Sequence, residues 1–443
     1  MLNPMKDERW QVMSIELREQ TPARPCPHGY AGLRVVFFWD GVPLGHALIS
    51  ATELPLTREQ LLVIASRTIS ETVGCYTHRE GFASALPRMP EPAVQDPARA
   101  LYQLTASRRI LEELGEELAG NLRSRATTNA PRPTLTVAIP TRERPQDLGR
   151  CLRALQQLQD TPDEILVIDN NPVTNATAEV VRQFPNVRYH RENQPGLSAA
   201  RNAALQHATS DIVAFTDDDV CVHPGWTGAL RRSFSDRQTM LVTGLVLPGE
   251  LETHAQYVFE EDLSFFHQGY RPRRFDANYF AALRDQGVPV WSLGAGANMA
   301  IRRSVYDQGH RFDTRLGPGV FGGCGEDSEF WYGILARGGV ILYEPSACVF
   351  HYHRRQLADL RKLMREYMKG HVAALILQYM KYGDTGNLRR LFLRLPAEYG
   401  IVLLRLIVSG FATSYRVLLH GILGSLAGLR FAWRRSETPS QAN

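Results

Sequence analysis

The stretch Asp211-Ile212-Val213-Ala214-Phe215-Thr216-Asp217-Asp218-Asp219-Val220 decides the architecture. Its apolar run reads as a buried strand. The strand runs into three consecutive carboxylates, which repel one another unless something positive stands between them. In an extended chain residues i and i+2 share a face, so Asp217 and Asp219 are expected to point together and Asp218 away. Two hard oxygen ligands at one strand end suit Mg2+ or Mn2+. A solvated acidic turn without metal would explain an isolated triple-Asp equally well, so the flanking sequence has to decide.

Upstream, residues 135–139 form an apolar strand ending in Pro140-Thr141-Arg142-Glu143-Arg144-Pro145, and a helix is predicted over 146–158. Residues 164–168 make a second strand ending in Asp169-Asn170, followed by a helix over 176–183. A third strand covers 187–190, and Pro195-Gly196 opens a helix over 198–207 that leads to the triple-Asp strand. Such alternation predicts a parallel sheet with crossover helices, and ligands in such sheets sit at the carboxyl ends of the strands. Three strands here end in polar groups: Thr141 and Arg142, Asp169, and Asp217 with Asp219.

Pro140-Thr141-Arg142, Val167-Ile168-Asp169-Asn170, Gly196-Leu197-Ser198-Ala199-Ala200-Arg201-Asn202 and Thr216-Asp217-Asp218-Asp219, in this order, resemble the nucleotide-sugar half of family 2 glycosyltransferases. Gly294-Ala295-Gly296-Ala297-Asn298-Met299-Ala300-Ile301-Arg302-Arg303, Gly325-Glu326-Asp327 and Pro345-Ser346-Ala347-Cys348-Val349-Phe350-His351 resemble the acceptor half. The resemblance covers about residues 134–355 and implies the α/β GT-A fold, a Rossmann-like, mainly parallel sheet with flanking helices. It also implies an inverting transferase that uses a nucleotide-sugar and Mn2+ or Mg2+. UDP-sugar is the donor expected on family grounds, with dTDP- and GDP-sugars as alternatives. The acceptor expected is a growing glycan or lipid-linked saccharide.

The resemblance assigns roles residue by residue. Asp219 would ligate the metal, with Asp217 near the ribose or the metal, and His351 as third ligand. His353 lies on the same strand face as His351, so the assignment between the two stays open. Pro140, Thr141, Arg142, Glu143, Asp169, Asp218 and Glu326 lie where the family holds the nucleotide-sugar. Arg201 either joins them or, with Asn202, braces the site. Asp327 matches the family's general base; by itself an acid there would read as a helix cap. Residues 252–290, rich in Tyr, Phe and Arg, are where acceptor choice is expected. A nucleotidyltransferase would favour a basic glycine-rich loop after the first strand, and residues 140–145 hold no glycine. A non-catalytic sugar-binding protein would not need Asp217, Asp219, Asp327 and His351 together.

The remainder frames this domain. A net charge of +4 over 443 residues is too small to argue for nucleic acid. Six cysteines form no CxxC pair, which fits reduced thiols in a cytosolic protein. Residues 1–9 hold no apolar signal segment. Residues 1–125 are expected to be a small α+β accessory segment, with a hairpin about Asp40-Gly41, a helix capped by Thr57 and a second helix over 98–122. Residues 126–133 read as a linker. Residues 356–443 read as helical: an amphipathic helix over 356–382, then an apolar stretch interrupted by Arg394, Arg405 and Arg416. Spaced by eleven, these arginines would form one stripe on a continuous helix. Peripheral contact with the cytoplasmic face of an anionic membrane is expected, and a packed helical hairpin explains the pattern nearly as well.

Overall fold

The computed structural model describes residues 9–19, 28–77, 132–263, 268–409 and 412–435. The helix expected over 98–122 and most of the expected linker lie outside the described residues. The chain forms two compact units, one of Met1–Pro131, Leu247–Pro272 and His351–Arg355, the other of Arg132–Val246, Arg273–Phe350 and Gln356–Asn443.

The first unit is built on a three-stranded sheet, β1 (Trp10–Glu16), β2 (Gly32–Trp39) and β3 (Val42–Ser50). The β2–β3 hairpin turns at Asp40 and Gly41, both with positive φ (47° and 74°), as a tight hairpin turn requires. Helix α1 (Arg58–Thr77) opens on a reciprocal pair, Gln60 N–H to Thr57 Oγ1 and Thr57 N–H to Gln60 Oε1. Its Ala65, Ile69 and Val73 close the core over Val35, Phe37, Leu44 and Ile49. Sequence reading passed over β1, which runs parallel to β2. Seven residues with polar groups on both faces give no clean alternation; tertiary pairing makes this strand. Segment 247–272 joins the unit where the Trp10 N–H donates to the Leu251 carbonyl at 2.9 Å.

The second unit holds the nine-stranded sheet. Strands β4 (Leu135–Thr141), β5 (Glu164–Asn170), β6 (Val187–Glu192) and β7 (Ile212–Thr216) are parallel neighbours in the order β7-β4-β5-β6. Helices α2 (Pro145–Leu155), α3 (Ala176–Val181) and α4 (Leu197–His207) make the crossovers. The sheet continues through β8 (Val220–Val222), β9 (Thr239–Pro248), β10 (Arg273–Phe275), β11 (Asn298–Arg302) and β12 (Val340–His351), with overall order β10-β12-β9-β11-β7-β4-β5-β6 and β8 against β12. Strand β11 is antiparallel to both β7 and β9, so the sheet is mixed and its parallel part is the nucleotide-sugar half. The parallel strands β4, β5 and β7 are buried almost throughout, as a sheet covered on both faces demands.

Helices α5 (Trp226–Ser233) and α6 (Glu326–Ala336) flank this sheet, and α7 (Leu357–Tyr382), α8 (Leu395–Ser409) and α9 (Ala412–Arg435) form the carboxyl-terminal region. Val372, Leu375 and Ile376 of α7 pack with Leu391 and Leu395, and Phe431 of α9 packs with Ala373, Ala374 and Leu377. The stripe of Arg394, Arg405 and Arg416 presupposed one continuous helix. Arg394 ends a π-helical turn, Arg390–Arg394, that runs directly into α8 with Arg405, whereas Arg416 lies on α9, so one helix carries two of the three arginines.

Candidate active site

The triple-Asp lies in a tight turn between β7 and β8, so it is not extended and the two-residue alternation does not govern it. Asp218 is buried and accepts from the Thr141 hydroxyl at 2.7 Å, which ties the end of β7 to the end of β4. Arg144 Nη1 donates to Asp218 Oδ1 at 3.1 Å and to Asp219 Oδ2 at 3.0 Å. Here is the positive charge that three adjacent carboxylates require. Burial, and after it the charge of Asp219, raise the Asp218 carboxyl above the usual carboxylate range. Burial disfavours the charge on Arg144, but Asp218 and Asp219 outweigh it and raise its pKa.

The other strand ends are occupied as follows. Pro140 is buried within β4, paired with Ile168 of β5. Arg142 is exposed. Glu143, at φ 54°, accepts from the Val173 and Thr174 N–H groups and the Thr174 hydroxyl, so its carboxylate ties the β4 loop to the β5 loop. Asp169 is fully buried and accepts from the Tyr189 hydroxyl at 2.8 Å. Burial raises the Asp169 pKa. The exposed group above it is the Tyr189 ring, whose hydroxyl burial and Asp169 push up to about 12.

On the acceptor side, Arg201 of α4 is almost fully buried. Its Nη1 donates to Glu326 Oε1 at 2.8 Å, its Nη2 stands 3.9 Å from Asp217 Oδ1, and its guanidinium lies over the Phe312 ring at 5.5 Å. Asn202 clamps the Phe312 backbone through both its amide atoms at 2.9 Å. Glu326 is buried, which raises its pKa against the pull of Arg201, and it also accepts from the Gly325 N–H at 3.0 Å. Asp327 opens α6 with Oδ1 on the Ser328 N–H at 2.6 Å and Oδ2 on the Gly296 N–H at 3.2 Å. A Cβ at Gly296 would lie 2.7 Å from Arg201 Nη2 and 3.1 Å from Asp327 Oδ2, so only glycine lets the backbone reach this carboxylate.

Arg201 thus brings Asp217 and Glu326 around one guanidinium, with Asp327 beside them. Asp218, Glu143 and Glu326 are engaged in ties within the protein. Sequence reading missed three residues. Arg144 was signalled by charge balance. Tyr189 and Tyr367 carried no local signal: the first stands on a neighbouring strand, the second on α7, where burial and then the charges about Cys324, Asp327 and Asp217 raise its hydroxyl pKa.

Among the described residues no group of three or more His, Cys, Asp or Glu side chains is gathered to hold a metal. A small divalent cation is commonly held by one or two carboxylates, with substrate phosphates and water completing its shell. The donor set Asp217 and Asp219 fits that arrangement. His351 belongs to the first unit, where its Nδ1 lies 2.7 Å from the Nδ1 of His353.

The model of the family described as glycosyl transferase family 2 matches residues 136–309. The glycosyltransferase AglE of Haloferax volcanii is 32% identical over 267 residues, covering 59% of this chain and 78% of that protein. The chain belongs to glycosyl transferase family 2. The pre-mycofactocin glycosyltransferase of Mycobacterium tuberculosis is 28% identical over 286 residues. That match takes in 59% of this chain and only about half, 55%, of the mycobacterial protein. Among solved structures, a mannosyltransferase from Pyrobaculum calidifontis in complex with GDP-Man and Mn2+ aligns at 16% identity with a TM-score of 0.44, covering 69% of this chain and 92% of that one. In this member of the family, the matched region spans the parallel strands, the triple-Asp and β11, and ends before α6 with Asp327.

Proposed function

We propose that this protein is a metal-dependent, inverting glycosyltransferase that moves a sugar from a nucleotide-sugar, a UDP-sugar in the first instance, to a glycan or lipid-linked saccharide. One observation carries the reading: Arg201 holds Glu326 and faces Asp217, so the strand-end carboxylates and the Asp327 helix converge on one guanidinium. A binding module would not need a second carboxylate, held by two backbone N–H groups, beside the first cluster.

The residues divide the reaction. Asp217 and Asp219 would hold Mn2+ or Mg2+, with His351 as the ligand that the family resemblance adds. Once bound, the cation would offset the negative charge that builds on a departing diphosphate. Asp327 takes the proton of the acceptor hydroxyl as that oxygen bonds to the anomeric carbon. The nucleoside diphosphate leaves from the opposite face with the bonding pair, so the configuration inverts. Backbone N–H bonds to both Asp327 oxygens fix the carboxylate in direction.

The carboxyl-terminal helices are proposed to rest on an anionic membrane at its cytoplasmic face. Phe392, Leu393, Leu404 and Leu426 are each more than half exposed. Glu398 is held in two contacts by Arg390, while Arg394 and Arg430 stay exposed, which leaves the rim positive. No helix among the described residues is long and apolar enough to cross a membrane.

Asp219→Ala tests the metal and donor reading. The variant is expected to stay folded and to lose Mn2+-dependent binding of UDP and other donor nucleotides, followed by titration calorimetry. Normal binding by the variant in the presence of metal would overturn the assignment. For the membrane, liposome flotation of wild type and an Arg394→Glu/Arg430→Glu double variant is expected to separate them at low salt. Wild-type protein that fails to float favours packed helices with no lipid contact.

A further inference from the structure

Away from the triple-Asp, the second unit holds a cavity of about 390 Å3 that the reaction scheme does not use. That volume lies within the range of small-molecule sites, about 300–1,000 Å3. Phe280 and Arg284 come from the short helix Ala277–Leu283 and the turn after it, Leu335 and Ala336 end α6, and Tyr382 ends α7 with Asp384 just beyond. Asp327 stands on the first turn of α6 and Ala336 on its last, so the cavity lies roughly 13 Å along the helix axis from the base.

One polar pair commands this space. The Asp384 side chain is 1% exposed and that of Arg284 is 55% exposed. Asp384 Oδ1 accepts from Arg284 Nε, and its Oδ2 accepts from the Tyr332 hydroxyl at 2.5 Å. Asn387, fully buried, donates to that hydroxyl at 3.1 Å. Held from two sides, the carboxylate fixes the Arg284 guanidinium by one edge. The bond uses Nε and leaves Nη1 and Nη2 to donate to a ligand. Beside these donors stands an aromatic wall. Phe280 meets Tyr332 edge-to-face at 5.1 Å, and Tyr382 lies 5.5 Å from the same ring.

The charges around the donors decide what class of ligand they suit. An anion drawn to Arg284 is opposed by Asp384 beside it and by the negative carboxyl ends of α6 and α7. A cation is opposed by Arg284 itself. A neutral ligand with hydroxyl groups meets neither penalty. It accepts from Arg284 and donates to the carbonyls that a last helical turn leaves unpaired. Its C–H hydrogens, slightly positive, suit the negative faces of the rings. A pyranose has this make-up, a rim of hydroxyls around a C–H face.

We propose that the cavity at the carboxyl end of α6 is a second saccharide site, holding a neutral pyranose unit of a glycan away from the reacting centre. Arg284 binds the sugar, and Asp384 is a positioning residue that aims Arg284. The site goes beyond the transfer reading and needs neither donor nor metal.

Methyl spectra of the full chain, labelled with 13C-methyl alanine, test it. Ala336 reports on the cavity and Ala297, next to Gly296, reports on the base end; Ala336→Ser and Ala297→Ser assign them. Maltose, cellobiose and lactose are the neutral probes, with glucuronate and inorganic phosphate as the anionic ones. At least one disaccharide is expected to shift Ala336 in the absence of nucleotide and metal. Ala277→Trp, which fills the cavity from an exposed position and keeps the polar pair, should abolish that shift. Arg284→Met should weaken binding about tenfold or more, the worth of hydrogen bonds from a charged group. An Ala336 methyl that no sugar moves overturns the site, as does a shift that survives in Ala277→Trp or one confined to Ala297. A stronger response to glucuronate or phosphate than to the disaccharides overturns the neutral class. Donor and metal are absent throughout, so failure here is told apart from failure of the transfer reading, which Asp219→Ala decides.

Discussion

Two arginines of the second unit stand among carboxylates, and they do so in opposite ways. The Arg144 side chain is 35% exposed, reaches from a loop and is shared by Asp218 and Asp219. The Arg201 side chain is 2% exposed, rises from a helix, holds Glu326 and has the Phe312 ring beneath it. Arg144 is open to water though Asp218 and Asp219 are not, so its pairs are screened in part and cost less to break than a pair buried on both sides. A buried charge deprived of its partner cannot recover its solvation and is costly. The donor end of the site is therefore held by a counter-charge that can yield, and the base end by one that cannot.

The largest expected effect is at the base end, in rate. Asp327→Asn keeps the size of the side chain and removes its ability to take a proton. The rate is expected to fall about 10²–10⁴-fold with donor affinity nearly intact. Turnover near that of wild type would reduce Asp327 to the cap of α6 and leave the base end with no special claim to rigidity.

Next comes Arg201→Met, which should remove about 3–5 kcal/mol of stability by stranding Glu326. Urea unfolding measures it. Arg201→Lys, which keeps the charge and loses the planar fork, should recover part of that loss. A cost below about 1 kcal/mol, the range of an exposed pair, would erase the contrast between the two arginines.

That contrast also marks what the sequence could and could not reveal. The strand ends were legible because apolar runs that stop at polar residues mark a parallel sheet and its ligand edge; Thr141, Asp169 and Asp217 all lie at that edge. The demand for a cation near three aspartates was legible as well, though not its identity, because Arg142 and Arg144 share one loop and only the backbone turn at Glu143 selects the second. Burial of Arg201 was not legible: its partner lies 125 residues away on α6. Strand β1 and the union of 247–272 with the amino-terminal sheet likewise rest on long-range pairing, which leaves no local period.

A third test asks whether the base end is rigid in its backbone too. Gly370 of α7 lies against the loop before Asp327, and a Cβ there would stand 1.8 Å from the Cys324 carbonyl oxygen. The Cys324 N–H in turn donates to the Glu366 carbonyl at 3.1 Å. Gly370→Ala must push the two backbones apart, at about 1–3 kcal/mol. Turnover should fall with it, since the displaced loop carries Asp327. Loss of stability with turnover unchanged would mean that α7 supports the fold and not the base.

The smallest effect belongs to Arg144→Met, and its sign is informative. Arg144, a third exposed beside two largely buried carboxylates, should contribute about 1 kcal/mol, less than Arg201 does. Mn2+ competes with the guanidinium for Asp219, since both are cations seeking the same carboxylate. Removing Arg144 should therefore tighten Mn2+ binding in the absence of nucleotide, by up to about fivefold, the equivalent of that same 1 kcal/mol. The gain should shrink as salt is added, because exposed charges are screened over about 10 Å at 0.1 M. Arg201→Lys offers no such gain, since its charge is committed to a buried glutamate. Weaker Mn2+ binding by Arg144→Met would mean that Arg144 holds Asp219 in place for the cation and does not compete with it, and the donor end would then be as preorganised as the base end.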